Sequence, residues 1–280
     1  MRIASAASAL FLALALPTVG LAQPATREIT NINGDLYRFR NNGHYSVFLV
    51  TPAGVIATDP IDKDAAGWLK AEIAQRFKVP VKYVIYSHGH ADHDSGGEVF
   101  ADTATFVGHA IAKQMLADDR VPTPLPTETF TDTKTVTLGG ASVELTYLGP
   151  NHADGMIVMR FPKERTLFAV DIVPVDSLAY RDFPNADING WIRSLKAIEQ
   201  MDFDTLAPGH GPMATRDHVR RHREYLEDLQ AQVVAQVKAG KSLAETKAAV
   251  DLTKYRTWGG YDTSRDLNIE GMYRMMGGTR

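Results

Sequence analysis

An apolar run from Val81 to Tyr86 stops at Ser87 and gives way to His88-Gly89-His90-Ala91-Asp92-His93-Asp94, three histidines and two aspartates in seven residues. No other stretch constrains the fold as much. A strand that ends in such a cluster must present it on a loop at a sheet edge, because these side chains are costly to bury unpaired. Imidazole and carboxylate are the ligands that zinc, a borderline-soft cation, accepts when no thiolate is offered, and the chain has no cysteine. His88 and His90 flank Gly89, so in extended backbone both can face one point. Asp92 and His93 follow where the chain must turn, and can serve a second ion beside the first. Gly96 and Gly97 let the backbone pass close to the site or enter a helix. A histidine-rich surface loop is the competing reading. Against it stands the clustering, since the chain holds only nine histidines.

His-x-His-x-Asp-His after an apolar strand resembles the signature of the metallo-β-lactamase superfamily. The partners which that family needs follow in order: His152 in Gly149-Pro150-Asn151-His152, Asp171 in Phe168-Ala169-Val170-Asp171, and His210 in Pro208-Gly209-His210-Gly211-Pro212. The resemblance spans about residues 28 to 215. It implies an α/β fold of the family's type, a four-layer αββα sandwich. It also implies a ligand set, with His88, His90 and His152 on one metal and Asp92, His93 and His210 on a second. Asp171 would bridge the two. Two Zn2+ are the expected ions, with iron or manganese as alternatives. On the same resemblance Asp92 is the catalytic group that orients water and relays its proton.

The resemblance also bears on substrate. Aspartate at position 171, where the true β-lactamases of the family usually carry cysteine or serine, points towards glyoxalase II, lactonase or phosphodiesterase relatives. Histidine at position 90, where the di-iron flavin-linked reductases carry glutamate, favours hydrolysis over oxygen chemistry. The expected activity is therefore dinuclear-zinc hydrolysis of an ester-type or amide-type bond in a small organic substrate, by metal-bound hydroxide. Turnover of lactam antibiotics, a mononuclear-iron persulfide dioxygenase-like reaction, and metal binding without catalysis are the alternatives.

The chain opens Met1-Arg2, runs apolar from Ile3 to Leu16, breaks at Pro17 and reaches Gly20-Leu21-Ala22. A positive start, an apolar core and small residues before a cleavage point read as a secretory signal over 1–22. The apolar run is short of the roughly 20 residues a spanning helix needs. Export to the periplasm or medium follows as an expectation, with no stable membrane anchor after cleavage; an uncleaved anchor is the alternative. Residues 23–280 then read as one domain with a C-terminal helical tail. With 30 basic and 33 acidic residues, a net charge of −3 and no long run of either sign, nothing invites nucleic acid. The expected partner is a small molecule.

Along the chain, Leu36–Arg40, Tyr45–Thr51 and Val55–Thr58 read as a strand meander ending at Asp59, an acid placed near the metal loop. His44, after a turn, reads as an exposed turn histidine, with the site mouth as its alternative. Asp62 to Phe77 fits a capped helix. His109 reads as a helix-end histidine, packed or solvated. Val121 to Pro126, with three prolines, can be neither helix nor central strand, and is a substrate-facing loop or a plain linker. Thr129–Leu138 and Ala141–Leu148 read as strands opening a second β-rich half. Met156–Phe161 and Thr166–Val170 form a hairpin into Asp171, Ile188–Met201 an amphipathic helix, and Thr215–Val237 a long charged one. On that last helix His218 and His222 are expected to be solvated. The aromatic and methionine-rich tail from Asp251 should lie against the core, a pocket wall or a homodimer face being the other options.

Overall fold

The computed structural model describes residues 25–278, so the signal-peptide expectation lies outside the described residues. The chain begins with an antiparallel meander, β1 (Arg27–Asn33), β2 (Leu36–Asn41), β3 (His44–Thr51) and β4 (Gly54–Thr58). Helix α1 (Lys63–Phe77) starts where the Asp62 side chain accepts a hydrogen bond from the Ala65 amide, satisfying an otherwise free N–H. It returns the chain so that β5 (Val81–Ile85) lies parallel to β4. A one-turn helix α2 (Ala91–Asp94), a 3-10 turn at Gly97–Phe100, β6 (Thr105–His109), α3 (Ala110–Asp118) and β7 (Glu128–Phe130) complete a seven-stranded sheet whose strands lie in sequence order.

The chain then passes to a second sheet. The strand expected over Thr129–Leu138 is broken at Thr131-Asp132, because β7 pairs with β6 in the first sheet while β8 (Thr133–Leu138) pairs with β9 (Ala141–Tyr147) in the second. Next come β10 (Ile157–Phe161), β11 (Thr166–Phe168), α4 (Ile188–Glu199) and β12 (Thr205–Ala207), giving the order β12-β11-β10-β9-β8. Helices α5 (Arg216–Lys238), α6 (Leu243–Ala249) and α7 (Tyr261–Met275) close the described chain.

Three apolar clusters make the layers. One lies between the sheets, where Leu49, Ile56, Ile85 and Val107 meet Val143, Leu145, Met159 and Phe168. A second fills the space between the first sheet and α1, with Phe39, Phe48 and Val84 against Leu69 and Ile73. The third joins the outer face of the second sheet to α4, α5 and α7 through Val158, Leu167, Trp191, Leu195, Leu226 and Met272. The result is the four-layer α/β sandwich that the resemblance implied. Strands covered on both faces, such as β4, are buried at every residue.

This topology places the chemistry. Strands β4 and β5 are parallel, so Asp59 and the His88 loop leave the first sheet on one edge. Strand β3 runs opposite to β4, so its first residue, His44, lies on that edge too. In the second sheet β9, β11 and β12 share a direction, since β10 is antiparallel to both β9 and β11 and β12 is parallel to β11. Their ends deliver His152, Asp171 and His210. An isolated bridge between His44 and His210 ties the two edges together.

One expectation is corrected here, and one open alternative is decided. His222 is not solvated: its residue is 0% exposed and both ring nitrogens lack partners. It belongs to the stripe Val219, His222, Leu226, Leu229 and Val233, the side of α5 that faces the core. His218 does sit outside, near Asp176 at 3.8 Å. The proline segment behaves as a linker: the Tyr86 hydroxyl bonds to the Thr123 hydroxyl and donates to the Pro124 carbonyl, and none of residues 121–126 lines the main cleft. His109 is the packed helix-end histidine expected, accepting from the Ile111 amide at the start of α3.

Candidate metal centre

The His88 loop is held from below. The Ser87 amide donates to Asp59 Oδ1 at 2.8 Å, and the Ser87 hydroxyl bonds His88 Nδ1 at 2.8 Å. With Nδ1 engaged, His88 turns Nε2 into the site. Behind the loop the fully buried carboxyls of Asp59 and Asp94 face each other, and burial first, then their mutual repulsion, raises Asp94 well above the usual carboxylate range. Asp59 is raised as well, by burial. Gly89 is required by close approach, since a Cβ there would lie 2.7 Å from Met115 Cβ.

The second sheet's loops are clamped by α4. The Asp187 amide donates to the Asn151 carbonyl at 2.8 Å, and the Trp191 indole donates to the Ile172 carbonyl at 2.8 Å. Gly190 sits so close that a Cβ would lie 1.9 Å from the Pro150 carbonyl oxygen. Trp191 also stands edge-on to the His152 ring, centroids 5.3 Å apart. One helix terminus thus sets both the His152 and Asp171 loops. The His210 loop is set from the first sheet: the buried Arg38 guanidinium donates to the carbonyls of Pro208 (3.1 Å) and Gly211 (2.7 Å). His210 Nδ1 bonds the Gly43 carbonyl at 3.0 Å, leaving Nε2 to face inward. No motif in the sequence announces Arg38 or Trp191. Their roles depend on contacts across 170 and 39 positions of chain, respectively, which no local pattern encodes.

All seven residues expected as ligands converge. Asp171 Oδ2 lies 3.2 Å from His93 Nε2 and 3.6 Å from both His88 Nε2 and His152 Nε2, and its Oδ1 lies 3.5 Å from His210 Nε2. His88, His90, His152 and Asp171 offer ligand atoms within 4.8 Å of one another, and so do His93, Asp171 and His210. Asp171 is common to both groups. Asp92 Oδ2 is 3.6 Å from His93 Nε2 and 3.8 Å from His210 Nε2. His44, expected as an exposed turn residue, instead stands at the site mouth with Nε2 3.5 Å from Asp92 Oδ2. With Asp92 and His210 it forms a further group of that kind.

The electrostatics suit cations. Burial drives His88 well below the usual imidazole range and His152 down to about 4, so both are neutral with lone pairs available. For His93 burial pulls down, but the carboxylates of Asp171, Asp59 and Asp92 outweigh it and raise it to about 9. Asp171, although buried, is held well below the carboxylate range by the imidazoles around it, His93 foremost. Asp92 is lowered chiefly by its hydrogen bond with His44. The Nε2 atoms of His88 and His152 are buried without any hydrogen-bond partner. Buried nitrogens are seldom left so, and a neutral imidazole aimed at a shared carboxylate fits a divalent metal. The donor set therefore fits bound metal.

The site opens into a cleft of about 960 Å³, within the range of small-molecule pockets. His90, Asp92, His152, Asp171 and His210 are among its lining residues. The tail contributes as well: Tyr255, Met272 and Tyr273 are buried in the core, and Gly260 and Ser264 reach the cleft. Among the described residues, no helix is long and apolar enough to cross a membrane.

Comparison with known proteins agrees with this architecture. The chain is 32% identical over 162 residues to the alpha subunit of 2,4-dinitroanisole O-demethylase from Nocardioides sp. (strain JS1661), covering 56% of this chain and 49% of that one. It is 26% identical over 175 residues to metallo-beta-lactamase type 2 of Bacteroides fragilis, covering 61% and 66%. The alignments thus span from about half to just under two thirds of those two relatives. A solved metallo-beta-lactamase from Pontibacter korlensis superposes with a TM-score of 0.66 at 21% identity, over 72% of this chain and 99% of that one, which speaks for the fold. The model of the metallo-beta-lactamase superfamily matches residues 62–210, more than half of the sequence, and the chain belongs to that superfamily.

Proposed function

We propose that this protein is a hydrolase with a two-zinc centre, held by His88, His90 and His152 on one side, by Asp92, His93 and His210 on the other, and by Asp171 between them. The observation that carries the reading is the convergence of His88, His93, His152 and His210 Nε2 atoms within 3.6 Å of the single Asp171 carboxylate. Paired divalent cations, when bound, bring the pKa of water from 15.7 towards about 7 and polarise the oxygen of the group being cleaved.

The chain's own residues supply the rest. Asp171 offsets the repulsion between two like charges. Asp92 keeps its carboxylate ionised at neutral pH and is half exposed to the cleft, so it can accept a proton from water on that side. His44 holds the other flank of Asp92 and limits its rotation. Trp191 closes the cleft behind His152 and excludes water there. The N-terminal pattern over residues 1–22 supports export.

Metal analysis of the purified protein should give about two zinc ions per chain. A panel of chromogenic esters, lactones, thioesters, phosphodiesters and cephalosporins should include substrates that it cleaves. The likeness to a demethylase of 2,4-dinitroanisole supports adding an activated aryl methyl ether to that panel. Iron as the sole metal, with oxygenation of persulfides, would replace the zinc-hydrolase reading. Silence across the panel with metal bound would leave a binding protein.

A further inference from the structure

The lining of the cleft is of two unlike kinds. Beside the imidazoles and carboxylates it is lined by the apolar side chains of Val173, Val175, Leu178 and Tyr180, and among the described residues no lysine or arginine lines it. Two cations near this wall are engaged elsewhere. Arg221 pairs with Asp176 at 2.7 Å and Arg274 with Asp182 at 3.0 Å. Arg181 is exposed, 5.9 Å from the Tyr180 ring centroid, and not among the lining residues.

The wall is firmly built. Between Asp176 and Asn185 four residues other than glycine take positive φ: Asp176 (47°), Arg181 (48°), Phe183 (58°) and Asn185 (65°). Such backbone is uncommon for L-residues and persists only where the surroundings fix it. Helix α7 does the fixing. The Asn268 side chain, 0% exposed, donates to the carbonyls of Ala179 and Arg181 and accepts from the Tyr225 hydroxyl. The Leu178 amide donates to the Gly259 carbonyl at 2.9 Å, and the Gly259 amide donates to Asp176 at 2.8 Å. These supports lie beyond residues 62–210, the part matched to the superfamily. The C-terminal segment therefore braces this wall from outside the matched region.

We propose that this apolar compartment of the cleft receives an uncharged, apolar alkyl or aryl group at the far end of the substrate, and that substrates ending there in carboxylate or phosphate are refused. The inference rests on the hydrolase reading, which puts the bond to be cut at the imidazoles. An anionic group at the reacting end would meet the metal site. The same group at the far end would lose its water and find no cation, which is costly. A methylene placed there gains from burial instead.

The test uses the zinc-loaded full chain and two readouts. For nitrophenyl esters of butanoic, hexanoic and octanoic acids, kcat/KM should rise by up to about fourfold per methylene until the compartment is full. The matching monoesters of dicarboxylic acids should fall by on the order of 100-fold against the neutral ester of equal length. Tyr180 is 65% exposed, so Tyr180→Arg leaves the core intact. It should recover about tenfold of the loss on the carboxylated ester. The second readout is binding: 1-octanol should displace the neutral dye N-phenyl-1-naphthylamine, and Tyr180→Arg should weaken that displacement severalfold. Dye release by octanol without cleavage of any ester keeps this inference and removes the hydrolase reading. Ester cleavage indifferent to chain length and terminal charge keeps the hydrolase reading and overturns this one. So does a Tyr180→Arg protein that moves neither readout.

Discussion

His222→Phe isolates one buried titration. In the folded chain His222 is 0% exposed, both of its nitrogens lack partners, and burial pushes its pKa down to about 3. In the unfolded chain the value returns to about 6.5. Below pH 6.5 the unfolded chain therefore binds a proton that the folded chain refuses, and stability falls as pH drops from about 6.5 towards about 3. At pH 4.5, two units below the unfolded value, this group alone costs about 3 kcal/mol. Phenylalanine fills the niche among Trp191 and Tyr225 without a titratable nitrogen. Its effect at pH 7 has opposing parts: unpartnered nitrogens are removed, a gain of about 1–3 kcal/mol, while the larger ring can overpack at a similar cost. The difference between two pH values is free of both. Urea unfolding followed by far-UV circular dichroism, at pH 7.0 and 4.5 with chelator in every sample, should show the variant gaining about 3 kcal/mol on the parent between them. A stability difference that stays the same at both pH values would refute the buried, neutral histidine.

Asp171→Ala removes the carboxylate that four imidazoles share, so metal content and turnover should be lost together, as read by elemental analysis and initial rates. Asp92→Asn can still coordinate through its amide oxygen but cannot take a proton; it should keep more metal while kcat falls by on the order of 100-fold. His218→Ala is the control, since His218 faces Asp176 outside the site, and should change neither metal content nor rate by more than about twofold. Gly271→Ala would bring a Cβ to 2.2 Å from the Asp182 carbonyl, and should cost about 1–3 kcal/mol in urea unfolding, with the wall at 173–187 loosened.

The residues gathered around Asp171 were legible because each lies shortly after an apolar strand, so a local pattern marks both the strand and the point where it ends. The β-meander was legible for the same reason. His44 was not, because its place depends on which edge β3 begins, and that follows from antiparallel pairing with β4 rather than from the turn that precedes it. His222 was misread from its charged neighbours Arg220, Arg221 and Arg223. The spacing of Val219, Leu226 and Leu229 around it carried the signal of a buried stripe. The break at Thr131-Asp132 was invisible because both flanks alternate as strands, and only sheet membership separates them. Asp94 looked like one more loop acid, and its partnership with Asp59 requires the parallel register that brings the two together.

The bridge between His44 and His210 makes the centre a seam rather than a pocket floor. Its donors arrive from two separate sheets, and neither sheet alone carries a complete set. An ion that needs both must wait for the sandwich to close, and once seated it resists any sliding of one layer over the other. Because such an ion binds the closed form and not the open one, its affinity adds to the stability of the whole fold by mass action. Scarcity of such an ion would then be felt as loosened cohesion between layers, well beyond the few residues that would touch it.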